Sequence, residues 1–228
     1  MKTFWITILL LGMLPTLYAS AAGADDRNMA PNPSFESPPA IQGTAVPDGW
    51  SFFTTQVNGA TLSRQTKHSG EQSLRLATQK IPKMFQGLTF SRAVSGEKKY
   101  VFSVYTISDK TDPFGGSAYM SLIIEWKRAD GTEISRSISK IVDAGLSRLR
   151  WEIVALDGVV APKGAVQAVF GIHLNDGPTG GKGAVLIDDV RIEELGTSPE
   201  TTGDFAHSNQ FKLHRPTQPE SHDRSPAR

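Results

Sequence analysis

Apolar and polar positions alternate with a period of two along most of the chain, the pattern of strands with one face buried and the other facing solvent. Tyr100, Phe102 and Val104 share one parity, and Val101, Ser103, Tyr105 and Ile107 share the other. Leu122, Ile124 and Trp126 alternate with Tyr119, Ser121, Ile123 and Glu125, and Asp130-Gly131 then supplies a hairpin turn into a strand over Thr132 to Lys140. Val166, Ala168, Phe170, Ile172 and Leu174 form an inward set, with Gln167, Val169, Gly171 and His173 facing the other way, and a last strand runs from Ala184 to Glu194.

The remaining predicted strands are Trp50 to Thr55, Ala60 to Thr66, Gln72 to Gln79, Met84 to Phe90 and Arg150 to Leu156. Segments carrying Asn58-Gly59, Ser69-Gly70, Ser95-Gly96 and Asp157-Gly158 separate them. About ten short strands at this spacing predict an all-β fold, an antiparallel β-sandwich of two packed sheets. No amphipathic stretch of the length a parallel crossover needs interrupts them.

The two ends read differently. Lys2, the apolar run from Phe4 to Leu17 and the small residues Ala19, Ser20 and Ala21 form a secretory signal peptide over residues 1–21, with cleavage expected after Ala21. A short linker over 22–31 leads to the sandwich, expected over 32–195. From Gly196 the composition turns to Ser, Thr, Pro, Glu, His and Arg, too poor in apolar residues to offset the entropy of ordering, so 196–228 is expected to be a disordered tail. The protein is therefore expected to be secreted or periplasmic, with no transmembrane segment after signal cleavage.

Composition narrows the function. The formal charge of +1 becomes 0 without Lys2, and both signs are evenly mixed, so nucleic acid is not an expected partner. With no cysteine, an exported domain has no disulfide to stabilise it and relies on its core or on a bound ion. No Gly-x-Ser-x-Gly elbow, His-Glu-x-x-His helix or catalytic cysteine is present. His207, His214 and His222 lie in the tail at spacings that match no compact metal motif.

Asn32-Pro33-Ser34-Phe35-Glu36, Pro47-Asp48-Gly49-Trp50, His68-Ser69-Gly70-Glu71-Gln72-Ser73-Leu74, Gly96 to Tyr100 followed by Phe102-Ser103, and Ile187-Asp188-Asp189-Val190 occur in that order. Together they resemble the jelly-roll carbohydrate-binding modules of families four, nine and twenty-two, within the galactose-binding-like superfamily. The resemblance implies an exported, non-catalytic protein that binds a poly- or oligosaccharide on the concave sheet or the sandwich rim. It also implies a structural calcium ion held by Glu36 and Asp188, with Ser34 and the turn from Lys67 to Glu71 adding backbone oxygens and Asp189 able to replace Asp188. Ordinary strand-end carboxylates, capped by backbone amides or paired with Lys67 or Arg191, are the alternative for Glu36 and Asp188. Trp50 and Trp151 are assigned to packing by the same likeness, and Trp126 by its parity.

On the solvent parity, Tyr105, Tyr119, Glu125, Gln167 and His173 combine rings that stack on a pyranose with groups that pair with its hydroxyls. Phe114, in the loop Asp109 to Ser117, is expected at a rim. A glycosidase needs two facing carboxylates, and only Glu125 lies clearly on this parity; Tyr105, Tyr119 and His173 leave a lyase mechanism open. A third class is an envelope assembly role with a protein partner.

Overall fold

The computed structural model describes residues 27–40, 46–54 and 59–196. The expected signal peptide, half of the expected linker and all of the expected tail except Gly196 lie outside the described residues.

The described residues form no helix, and their strands pair antiparallel. One sheet contains β1 (Ser51–Thr54), β4 (Phe85–Ala93), β10 (Gln167–Asn175), β7 (Tyr119–Lys127) and β8 (Glu133–Ile138), in the order β1-β4-β10-β7-β8. The second contains β2 (Ala60–Ser63), β3 (Ser73–Ala77), β12 (Ala184–Leu195), β5 (Lys99–Ser108) and β9 (Glu152–Val160), in the order β2-β3-β12-β5-β9. A two-residue pairing of β6 (Gly115–Gly116) with β11 (Gly181–Lys182) completes the set. Every strand expected from the alternation is present, with ends moved by a few residues.

The inward parity makes the core. Leu122, Ile124, Trp126, Ala168, Phe170, Ile172 and Leu174 from the first sheet meet Leu74, Leu76, Phe102, Val104, Ile187 and Ile192 from the second, and all are buried. Phe170 sits between them, stacked on Phe90 at 5.3 Å and edge-on to Phe102 at 5.7 Å, geometries that aromatic quadrupoles favour. Trp126 is buried as expected and its indole N–H donates to Ser137 Oγ at 3.0 Å, so the polar tip is not left unpaired. Trp50 is also core, against Phe90 at 4.9 Å.

Two bulges depart from simple alternation. Asp157-Gly158 does not end a strand: both residues oppose Val101 alone, Gly158 takes φ of 62°, and β9 continues to Val160. In β12, Asp188 pairs with Tyr105 and Arg191 with Ser103, so Asp189 and Val190 share one partner position, with Asp189 at φ 46°. The inward set consequently shifts from Val185 and Ile187 to Val190 and Ile192. Without the extra residue Asp189 would point into the core; with it, the carboxylate reaches the surface turn described below.

Candidate functional site

The outer face of the first sheet holds a groove of about 760 Å³. Strand register explains its contents. Phe53 on β1 is opposite Gly87 on β4, Gly87 is opposite His173 on β10, and His173 is opposite Ser121 on β7. The preceding row brings Phe85 and Tyr119 to either side of Asn175. Rings from four strands therefore gather at one end: Phe53 lies 6.0 Å from Phe85 and 4.6 Å from His173. Phe85 is 43% exposed, an unusual position for a large apolar ring with neighbours free to cover it.

The other end is charged. Two rows on, Val169 faces Glu125, which faces Arg136 on β8. Glu125 is bridged by Arg136 at 3.1 Å and Lys127 at 3.5 Å, and Arg136 also holds Glu133 at 2.7 Å. Burial, and then the charge of Arg136, pushes the imidazole of His173 down to about 4. At neutral pH its ring is uncharged, with one nitrogen donating and the other accepting, as a sugar hydroxyl requires.

Of the residues expected at the ligand face, Tyr119, Glu125 and His173 line this groove, and Gln167 lies on the same face at its charged end, opposite Lys127 and Ala93. Tyr105 does not join them. It is on β5, in the other sheet, and parity within one strand cannot say which sheet that strand enters. Phe114 is only 4% exposed and packs in the core rather than at a rim. Arg75 draws its loop inward through bonds of 2.7 Å to Asp109 and Asp112. Phe53, Phe85 and Arg136 escaped sequence reasoning, although the alternation Phe85, Gly87, Thr89 against Gln86, Leu88, Phe90 carries the signal for Phe85.

On the back sheet, Tyr105 stacks on His68 at 3.8 Å, and Trp151 meets the same imidazole edge-on at 5.5 Å. Trp151 is half-buried and stands at this surface, so its assignment to the core is corrected. Asp189 accepts the His68 ring at 2.5 Å and the hydroxyls of Ser34 and Ser69 at 2.6 Å each. Burial alone would raise this carboxyl, but bonds from His68, Ser34 and Ser69 outweigh it and hold Asp189 below the usual range.

The residues expected to hold calcium form a different arrangement. Glu36 Oε1 accepts the amides of Glu71 and Gln72 at 3.0 and 3.2 Å. Asp188 Oδ2 accepts those of His68 and Ser69 at 2.8 and 3.2 Å, and its Oδ1 that of Asp189 at 2.8 Å. The turn thus aims N–H groups at one oxygen of Glu36 and one of Asp188. Ser34 donates to Asp189, and Lys67 pairs with Glu71 at 3.6 Å. Among the described residues no three acidic, His or Cys side chains converge as a metal group. Glu36 and Asp188 fasten the turn to the first and last segments through backbone amides, the alternative to a bound calcium ion at these two carboxylates.

No protein-family model matches the chain, and no curated protein does. Solved structures share its fold. The enzymatically active domain of bacteriophage CBA120 tailspike protein 4 aligns at TM-score 0.52 and 13% identity, over 74% of this chain and 22% of that one. An arabinose-bound α-L-arabinofuranosidase aligns at TM-score 0.52 and 11% identity, over 73% and 26%. A family-61 carbohydrate-binding module in complex with β-1,4-galactotriose aligns at TM-score 0.49 and 16% identity, over 74% and 99%. The chain spans about a quarter of each of the first two. At these identities the likeness establishes the β-sandwich fold.

Proposed function

We propose that the protein is an exported glycan-binding module that holds a poly- or oligosaccharide in the groove of the first sheet and does not cleave it. The observation that carries this reading is the composition of the groove, with Phe53, Phe85, Tyr119 and a neutral His173 at one end and the Glu125–Arg136–Lys127 cluster at the other. Rings cover the apolar face of a pyranose, and fixed polar groups select its hydroxyls. Export is supported by the signal-like order of Lys2 and the apolar run behind it.

Absence of cleavage is supported by charge. Glu125 is the one carboxylate among the groove-lining residues described, and two cations already occupy its oxygens. Hydrolysis needs a second carboxyl group roughly 5–9.5 Å away. A second reading, docking of an envelope protein, is favoured by Ile138 and Ile141, 57% and 60% exposed along the groove. Affinity electrophoresis against a panel of soluble polysaccharides, with assay of the same mixtures for released product, separates the readings. Retardation without product supports glycan binding; free migration through every polysaccharide removes it.

A further inference from the structure

At the end of the sandwich next to the ring-lined part of the groove, Asp176 is fully buried, with 0% exposure. It ties three loops together. Its Oδ2 accepts the amides of Gln79 at 2.9 Å and Ile81 at 3.1 Å, its carbonyl accepts Ser117 Oγ at 2.8 Å, and its own amide donates to the Met84 carbonyl at 2.9 Å. Its Oδ1 is buried as well, yet has no hydrogen-bond partner among the described residues. Thr78 Oγ1, carried by the residue just before Gln79, is the other buried side-chain atom in that condition.

An ionised carboxylate removed from water costs several kcal/mol unless its charge is balanced. Two amides balance Asp176 only in part, and among the described residues no Lys, Arg or His stands within ion-pair distance of it. Two glycines let the surrounding loops approach backbone to backbone. A Cβ at Gly177 would fall 2.0 Å from the Ser117 carbonyl, and one at Gly180 would fall 2.7 Å from the Lys80 carbonyl. Lys80 and Lys83 hold left-handed backbone at φ 60° and 61°, strain that the surrounding packing must sustain.

We propose that Asp176 Oδ1 and Thr78 Oγ1 are protein ligands of a hard, oxygen-preferring cation of the Ca²⁺ class, with loop carbonyls and water completing its shell. Such ions take carboxylate, hydroxyl and carbonyl oxygens together, and one supplies the charge that a water molecule cannot. The site is separate from the Glu36–Asp188 turn. Asn175 and Phe85, which line the groove, adjoin Asp176 and Met84 in sequence, so the ion fixes the strand ends carrying them. That last consequence rests on the glycan reading; ion binding itself does not.

The test uses the full chain stripped with a chelator, followed by calorimetric titration with CaCl2 and by thermal unfolding with and without Ca²⁺. One ion per chain and a rise in Tm of about 5 °C or more are expected. Asp176→Asn and Thr78→Val abolish both responses, whereas Glu36→Ala keeps them. A wild-type protein that takes up no Ca²⁺ and unfolds at the same temperature in chelator overturns the proposal, leaving buried water as the partner of the two oxygens. So does a response that persists in Asp176→Asn and disappears in Glu36→Ala. Should Asp176→Asn fail to fold, the wild-type titration and Thr78→Val still decide.

Discussion

The imidazole of His173 packs 4.6 Å from the ring of Phe53, and each ring lies over a glycine: a Cβ at Gly171 would come within 2.6 Å of His173 Nε2, and one at Gly87 within 2.9 Å of Phe53. The groove has its depth at these two positions because the strands beneath the rings carry no side chain. The two glycines differ in what else they touch. Beside Gly87 lies the carbonyl of Ile172, only 2.1 Å from the added carbon, whereas Gly171 meets side chains.

Gly87→Ala therefore opens the β4–β10 pairing and lowers stability by about 1–3 kcal/mol. Gly171→Ala leaves stability within about 1 kcal/mol and instead rotates His173 out of place, weakening ligand binding about tenfold. Denaturant unfolding and affinity electrophoresis on the two variants separate these effects. Equal loss of stability in both contradicts the assignment.

Two ionisable groups shifted by burial, His173 and Asp188, give stability an opposed pH dependence. His173 has a folded pKa near 4, below its ordinary 6.5, so the unfolded chain holds the extra proton between those values. Stability from this group is complete above about pH 6.5 and falls as pH drops toward 4. Burial raises Asp188 from 3.8 to about 6, against the amides of His68 and Ser69. Here the native state holds the extra proton, so this contribution is greatest below pH 3.8 and is lost as pH rises through 6. Unfolding of wild type and His173→Ala at pH 4 to 7 should show the variant gaining stability relative to wild type as pH falls. A pH-independent difference between them contradicts the burial of His173.

Ligand affinity follows the same titration. It should stay level from pH 8 to about 5 and decline toward pH 4, as His173 takes up a second proton and loses its acceptor. Retardation measured across that range checks this. A midpoint near 6.5 would mean a solvated ring, contrary to its packing against Phe53.

The turn from Lys67 to Gln72 is held by carboxylates. Glu36→Ala leaves the amides of Glu71 and Gln72 without their acceptor and is expected to cost about 1–3 kcal/mol, with or without chelator. Asp189→Ala frees the His68 ring and both serine hydroxyls, and loosens the stack on Tyr105. Chemical denaturation measures both losses. A penalty for Glu36→Ala that vanishes in chelator would restore the ion to that turn.

Alternation within a strand made the fold legible, because burial on one face leaves a period of two that needs no tertiary knowledge. Phe170 and Trp126 were identifiable as core on that ground alone. Which strands share a sheet is a long-range property, and this is where Tyr105 parted from Tyr119 and His173. Phe114 was misplaced because Arg75, distant in sequence, pulls its loop inward through Asp109 and Asp112. Carboxylates at the expected calcium positions were recognisable, but whether a turn offers them carbonyls or amides depends on backbone orientation, which residue types do not encode. Asp189 reached its place through a bulge, a change of register that alternation conceals.

The central claim is that the glycan lies on the β1-β4-β10-β7-β8 face, and Phe85 against Tyr105 tests it most directly. With any polysaccharide that retards the wild-type protein, the dissociation constants of Phe85→Ala and Tyr105→Ala are measured by affinity electrophoresis. The account predicts at least about a tenfold weakening for Phe85→Ala, by loss of a stacking ring, and an unchanged constant for Tyr105→Ala. Weakening confined to Tyr105→Ala, with Phe85→Ala binding as wild type, would place the ligand on the opposite sheet and contradict it.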